Sequence, residues 1–591
     1  MTVATTDTGP GPAEGAGAAR AAEAAVRERV ARLERGFGDL DDPGNPLGTE
    51  QFVRADAERR LLPAAEALLD GFRLQAEIVP RELGGRLGRL DVLARVLRAV
   101  FRRDAALGLA CGTGPYLAAA AVWAGGSARQ RHRTADLLLS GGRMACAYPQ
   151  PAEGNAFLHN GFTASPDGAG YLLDGRKEAL NNAARAASLL LFARVDEPGG
   201  GGHRAFLIDA PQADAPGFRL LPRRSTTGVR GCLVHGLEFT RYPVTADRQL
   251  GPGTGTGAEL AARAFPVIRS TGPSMALGCA DTTLRTAVAF ARAHRARSRA
   301  SVRAPRTRQA LQDAFSDLLL CDALALVATR AAHLLPRESA TLSAVAKYLL
   351  PMFLTESAYD LSAVLGAESY ARQGAYAVFR KALRDLPMIG LGPVGSEASR
   401  AAVADRLLRL PGLRPPPVGA AGAALFQWHE PGLPALRPRE FVLPAEGDSL
   451  VGGLEETVER ARAAGGGELD RTLAGYATAL GRELDRLRRD CALLGRSGGP
   501  ARPRVYALVD RYALIAAGAA CLGVWRYRTG PDDGLPAGPA WAVMALARVL
   551  RRLDPAAPRP PASAAEPLLT ELLNRFDDAR SFDLYATPIG R

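Results

Sequence analysis

Lysine is almost missing from this 591-residue chain: Lys177, Lys347 and Lys381 are its only lysines, so nearly all of the formal charge of +13 rests on arginine. The arginines are scattered among acids along helical stretches, without an aromatic-interleaved basic motif. Nucleic-acid binding therefore has no sequence support, and an anionic small ligand fits the charge equally well. Seven cysteines (Cys111, Cys146, Cys232, Cys279, Cys321, Cys491 and Cys521) stand singly, with no CxxC. This excludes a disulfide framework and a zinc site, and reads as buried thiols in a reducing compartment. His132, His159, His203, His235, His333 and His429 stand apart and form no metal set. No GxGxxG follows a strand-like run, GxxxxGK[ST] does not occur, and no GxSxG stands at a strand-to-helix elbow, so the dinucleotide fold, the P-loop and the serine-hydrolase elbow all lack their motif. The N-terminus MTVATTDTGPGPAEGAGAAR has no basic start and apolar core, so it is not a signal peptide. No apolar run reaches the roughly 18 residues of a spanning helix. A cytoplasmic location is expected.

A hydrophobic content of 47% with 23% charged residues is that of an ordinary globular protein, and the length exceeds what one core holds. Residues 1–20, rich in Gly, Ala, Pro and Thr, read as a mobile tail. From 21 to 140 the 3.6-residue apolar period predicts a helical domain, as in Leu90 to Phe101. Between 141 and 250 the texture changes to short runs (GYLLDGRK, SLLLFARVD, RAFLIDA, CLVHGLEFTRYPV) bounded by Gly, Pro and Asp. These predict a small antiparallel β-domain. Residues 258–410 return to long Ala/Leu/Arg helices of bundle length. A Pro/Gly-rich linker, 411–444, precedes an additional helical domain, 445–591, with helices expected over Leu454–Leu494, Tyr506–Trp525 and Trp541–Leu553. Helical and β units are thus segregated, the order of an α+β, mainly α, fold.

Several strings follow one another in the order of a known family. Arg103-Asp104-Ala105-Ala106-Leu107-Gly108-Leu109 is similar to RDxSLGL, and Gly126-Ser127 to Gln130 is similar to a GSxxQ helix cap. Leu173-Asp174-Gly175-Arg176-Lys177-Glu178-Ala179-Leu180-Asn181-Asn182-Ala183 is similar to LxGxKxWITNA. Gly228-Val229-Arg230-Gly231, Leu237-Glu238-Phe239 and Leu250-Gly251 follow. Arg269 with Ala276-Leu277-Gly278 is like RxxxxxxALG, and Arg384-Asp385 is like a later RD pair. In their order over residues 50 to 410 these strings resemble the acyl-CoA dehydrogenase family. The resemblance implies an N-terminal helical domain, a central antiparallel β-domain and a C-terminal four-helix bundle, with FAD as cofactor, an acyl thioester as substrate and a homo-oligomer as the assembly.

In that family a carboxylate removes the α-proton of the thioester while the β-hydride passes to the flavin, and the base needs an apolar pocket to work near neutral pH. Counting from Arg384-Asp385, the usual Glu position falls on Pro393. The alternative position, just before the arginine of the ALG helix, falls on Ile268. Neither accepts a proton. Glu397 serves only if the loop shifts by a turn, and otherwise reads as a solvated first-turn glutamate. The flavin contacts differ too. The A-L-T-E-P turn is matched by Ala147-Tyr148-Pro149-Gln150-Pro151, which puts Tyr148, Gln150 and Asn181 at the ring, with Ala179 in place of its Trp. The R-xx-FG motif that meets the pyrophosphate falls on His294 and Arg297, and the GG turn on Gly366-Ala367. The arginine-rich stretch Arg292 to Arg308 either meets a phosphate or is a solvated loop. Three functions remain open: oxidoreduction of an acyl thioester on coenzyme A or a carrier protein, a flavin monooxygenase on the same fold, or a non-catalytic relative that acts as the partner subunit of a heteromer.

Overall fold

The computed structural model describes residues 12–147, 161–195, 202–251, 257–294, 298–390, 395–407, 422–429, 432–441, 447–463, 466–495, 502–528 and 538–590. Seven helices come first: α1 (Pro12–Gly36), α2 (Thr49–Ala57), α3 (Pro63–Phe72), α4 (Leu90–Arg103), α5 (Ala105–Gly108), α6 (Gly114–Gly125) and α7 (Ala128–Leu139). Helix α1 starts at Pro12, inside the stretch read above as a tail. Asp104 closes α4 and opens α5, accepting the Ala106 N–H at 2.6 Å. Ser127 and Gln130 form a reciprocal capping box at the start of α7.

Every residue of α4 is buried, including Arg95, Arg98, Arg102 and Arg103. A buried charge is tolerated only with a partner, and each has one on another element: Arg95 with Glu23, Arg98 with Asp322, Arg102 with Asp281, and Arg103 with Glu34. These pairs fix the register of the N-terminal helices on the bundle behind them.

The strands are β1 (Met144–Ala147), β2 (Thr163–Asp167), β3 (Gly170–Asn181), β4 (Ser188–Val195), β5 (Gly202–Asp209), β6 (Phe218–Leu220) and β7 (Val234–Thr245). They form one sheet in the order β1-β4-β2-β3-β7-β6, with β5 on β4. The expectation of a purely antiparallel domain needs one correction: β1 runs parallel to β4, and β2 meets β4 in parallel at Thr163 and Arg194. The β2–β3 hairpin lies between β1 and β4 in sequence, so the chain returns to β1 in the same direction. Alternate residues of β4 enter two cores: Leu189 and Leu191 pack with Phe206 and Leu237, whereas Leu190 and Phe192 pack against the helices. That two-sided burial explains its unbroken apolar run.

The bundle comprises α8 (Gly257–Ala293), α9 (Pro305–Leu334), α10 (Ser339–Leu365), α11 (Ala377–Asp385) and α12 (Ser396–Leu407). Beyond it lie α13 (Ser449–Gly452), α14 (Leu454–Ala463), α15 (Glu468–Gly495), α16 (Arg502–Arg526), α17 (Ala540–Leu553) and α18 (Ala562–Asp577). The helix expected over Leu454–Leu494 is two, since α14 ends at Ala463 and α15 starts at Glu468 after a run of glycines. The linker is docked where it is described. Trp428 is buried, its carbonyl accepts from Arg89 at 2.7 Å, and Phe426 stacks on Tyr527. The last helices pack on the bundle through Arg548–Asp317 and Tyr348–Asp510.

Two helical stretches, Ala105–Gly125 and Pro503–Arg526, are long and apolar enough to cross a membrane, with mean hydropathies of 1.4 and 1.5. This corrects the expectation drawn from apolar runs. Most of each stretch is buried inside the protein, as core helices are. All seven cysteines are unbridged, and six are buried.

Candidate active site

Between α5 and α6 the chain makes one π-turn, Leu109–Thr113. Such a turn breaks the helix's own hydrogen-bond ladder, and side chains supply the donors: Gln75 Nε2 to the Cys111 carbonyl and Asn182 Nδ2 to the Ala110 carbonyl, each at 2.7 Å. Asn182 follows β3 in the left-handed region, φ +67°, a conformation asparagine tolerates better than most residues. Its Oδ1 accepts from Arg185 Nε at 3.0 Å, and Arg185 Nη1 donates to Glu66 Oε1 at 2.7 Å. The end of β3 is thereby fastened to the π-turn. Next to it, Asn181 carries a buried Oδ1 with no hydrogen-bond partner, and its Nδ2 lies 3.5 Å from where a side chain on Gly114 would begin.

Ile268, Gly272 and Met275 recur at helical spacing on one face of α8. Gly272 is buried, yet a Cβ there would meet nothing within 4 Å, so a space lies against this face. Thr113 Oγ1 donates to Met275 Sδ at 3.4 Å, bringing the π-turn to the same stripe. Leu109, Thr113 and Ile268 keep part of their surface uncovered amid otherwise buried neighbours.

Lys347 stands on α10, where its Nζ donates to the carbonyl of Ile389. Ser396 Oγ donates to the Lys347 carbonyl at 3.2 Å, so both ends of the segment between α11 and α12 are tied to this residue. Burial depresses the Lys347 ammonium to about 8, and the Arg269 guanidinium pushes the same way. Arg269 follows Ile268 directly and is itself buried.

Of the residues singled out in the sequence, Tyr148, Gln150, Arg297 and Pro393 lie outside the described residues. Asn181 lies beside the end of the π-turn, and Ile268 stands on the α8 stripe whose Met275 meets Thr113. His294 ends α8, with Nδ1 on the Phe290 carbonyl at 2.8 Å and its ring against Phe290. Gly366 ends α10 at φ +56°. Glu397 does not reach the space: its side chain is 70% exposed in the first turn of α12, 4.0 Å from Arg400. It edges an outer groove of about 630 Å³ with Met352 and Tyr359. A larger cleft of about 900 Å³, between α7 and the strands β4 and β5, lies away from these groups, and its Arg133 and Arg248 are already paired with Asp209. Sequence reasoning missed Gln75, Asn182, Gly272 and Lys347. The flanking glycines of Cys111-Gly112-Thr113-Gly114 and the rarity of lysine were the available signals.

Two family profiles match the chain: the acyl-CoA dehydrogenase middle domain over residues 146–242, and its C-terminal domain over residues 255–408. Residues 146–408 thus carry the middle and C-terminal domains of the acyl-CoA dehydrogenase family. The middle domain of the family coincides with the sheet, and its C-terminal domain with α8 to α12. Among relatives, the human mitochondrial short-chain specific acyl-CoA dehydrogenase is 28% identical over 361 residues, which cover 60% of this chain and 84% of that protein. Among solved structures, an acyl-CoA dehydrogenase from Bacillus anthracis complexed with FAD has a TM-score of 0.69 at 15% identity. The likeness covers 93% of this chain and 95% of that one, including the helices after the linker. A prolyl acyl carrier protein oxidase has a TM-score of 0.56 at 21% identity, over 65% of this chain and 98% of that one. At these identities the structural likeness concerns the fold.

Proposed function

We propose that this protein is a FAD-dependent oxidoreductase of acyl thioesters, carried on coenzyme A or on a carrier protein, in which the usual catalytic glutamate is absent. The observation that carries the reading is Asn181. It stands where the family places its flavin turn, and its Oδ1 is a buried acceptor without a donor. Such an atom costs about 1–3 kcal/mol until it is paired, and a flavin ring, which carries an N–H on its pyrimidine edge, suits it. The residues present therefore fit the group. When bound, FAD supplies the acceptor for a hydride.

The chain's own residues do the rest. Asn181 holds the ring edge with Tyr148 and Gln150, while His294, Arg297 and Gly366 are the proposed contacts of the pyrophosphate and adenine end. Leu109, Thr113, Ile268 and Gly272 enclose the acyl chain and exclude water from it. Supporting arguments are the family, the apolar α8 face beside the space and the relatives' printed activities. We infer a homo-oligomer and a cytoplasmic location on the same footing, the latter with unbridged cysteines in its favour.

The test is the visible spectrum and flavin stoichiometry of the purified protein, beside Asn181→Trp and Arg297→Ala. Both substitutions are expected to lower the flavin content. Unchanged stoichiometry in both moves the cofactor elsewhere. The carboxylate-free positions Pro393 and Ile268 favour two other readings, a monooxygenase that needs no α-proton acceptor and a non-catalytic partner subunit. A colourless protein would leave the partner subunit.

A further inference from the structure

Glycine in the interior of a helix is destabilising relative to alanine, so a buried helical glycine calls for a reason. For Gly278, Gly518 and Gly523 the reason is packing: a Cβ would collide with the Arg98 carbonyl at the first, with Leu480 at the second and with Phe426 at the third. Gly272 has no such neighbour. It is buried in the middle of α8, and a Cβ there would meet nothing within 4 Å.

The proline that follows does not account for it either. A residue before proline is crowded in the α conformation, yet Phe265 precedes Pro266 in the same helix and Leu350 precedes Pro351 in α10. Alanine at this position would suit both the helix and its packing. What the glycine leaves is a notch in the face of α8, one residue long, with Ile268 a turn before it and Met275 a turn after. The neighbouring hydroxyls give their protons to their own helix: Ser270 to the Val267 carbonyl at 3.0 Å, Thr271 to the same carbonyl at 2.7 Å, and Ser274 to the Ser270 carbonyl at 2.6 Å. The notch thus has apolar rims and no hydroxyl donor to spare, which suits a hydrocarbon group.

We propose that Gly272 is a specificity-determining residue of this site: its notch receives a branch of the acyl group, and the substrate is a short branched-chain acyl thioester. The inference rests on the acyl-thioester reading and narrows its substrate. Along the helix the notch is closed by Ile268 and Met275, so it has room for a methyl or ethyl branch and not for the length of a straight chain. A methyl group that enters it leaves water for an apolar recess, which is worth about 4-fold in affinity.

The experiment uses the full-length protein with 3-methylbutyryl-coenzyme A and pentanoyl-coenzyme A, isomers that differ only in the branch. Both dissociation constants are measured by calorimetry for wild type, Gly272→Ala and Gly272→Leu, and their ratio is the readout. Wild type should bind the branched isomer at least about 4-fold more tightly than the straight one. In Gly272→Ala a β-carbon takes the room of the branch, so the preference should vanish, while Tm stays the same or rises because alanine is the better helix former. In Gly272→Leu the notch is overfilled, and the ratio should invert to at least about 10-fold in favour of the straight isomer. If Gly272→Leu fails to fold, the alanine variant decides alone.

A wild type that binds both isomers alike, or prefers the straight one, overturns the proposal and leaves the acyl-thioester reading standing. So does a branched preference that survives Gly272→Ala. A glycine needed only for the fold would weaken both isomers in Gly272→Ala, lower Tm and keep their ratio, which also overturns it. If wild type binds neither isomer, the acyl-coenzyme A reading fails, and the proposal falls with it.

Discussion

Asn182 Nδ2 donates to the Ala110 carbonyl at 2.7 Å and thereby joins the last turn of the sheet to the π-turn between α5 and α6. Asn182 is fully buried, adopts φ +67°, and uses its other side-chain atom to hold Arg185. One residue therefore sets the position of Asn181 relative to Thr113, on which the proposed site depends.

Replacing Asn182 with Ala removes both hydrogen bonds, leaves the Ala110 carbonyl unpaired and puts a β-carbon into the left-handed region without the compensation asparagine finds there. The expected cost is about 2–4 kcal/mol, with a fall in flavin content. Asn182→Gly relieves the backbone but not the lost bonds, and should cost less. Equal unfolding midpoints for wild type and Asn182→Ala would refute the role assigned to this residue.

Residues 579–590 thread between the N-terminal helices and the bundle. Phe582 N–H donates to Asp281 at 2.8 Å and Leu584 N–H to Asp322 at 2.7 Å, while Arg95 and Arg98 lie over the Tyr585 ring. Truncation after Asp578 uncovers the sites of Phe582 and Leu584 and strips partners from a buried charge cluster. A loss of at least about 4 kcal/mol is expected, read as a lower Tm and faster proteolysis of α1. As a control, the exposed Asp578→Ala should leave Tm unchanged. A truncated protein as stable as the intact one would show that the segment is dispensable.

His333 gives a pH dependence of known sign. Its Nδ1–H donates to the Pro434 carbonyl at 2.8 Å and its Nε2 accepts the Leu90 N–H at 3.2 Å, so the neutral ring uses both nitrogens. Burial depresses it to about 4 from an ordinary 6.5, although the Pro434 bond and Asp91 act the other way. The unfolded chain thus takes up the proton more readily between these values. The contribution is fully present above pH 6.5 and is lost as pH falls toward 4, to a total of about 3 kcal/mol at roughly 1.4 kcal/mol per unit. Denaturant unfolding of wild type and His333→Gln at pH 7 and pH 5 checks it. Wild type should lose more stability on acidification than the variant, and parallel curves would remove His333 as the cause.

The sheet was legible because its strands are short apolar runs between turn residues, and the bundle because its helices repeat at 3.6 residues. The parallel pairing of β1 with β4 was not, since strand direction depends on the intervening hairpin rather than on either strand's composition. Nor was the buried tail: Ser581 to Gly590 has no period, and its burial comes from Asp281 and Asp322, far away in sequence. At the site, the strings around Asn181 and Ile268 could be read from their order. Lys347 could not, because Ala346-Lys347-Tyr348 within an apolar helix reads as a surface lysine until α8 and Ile389 are seen against it.

Glu397 is the one carboxylate that sequence proximity offers as a base, and its surroundings argue against that role. A carboxylate that works near neutral pH needs an apolar pocket to raise it, and this one is 70% exposed, beside Arg400, on the outer wall of α12. Arg400 itself is directed to Asp510 at 2.7 Å, so Glu397 does not even complete a close ion pair. Glu397→Gln is therefore expected to leave both Tm and the rate of flavin reduction by butyryl-coenzyme A as in wild type. Loss of that reduction in Glu397→Gln would mean that α12 turns inward when substrate binds, and that the carboxylate takes the proton.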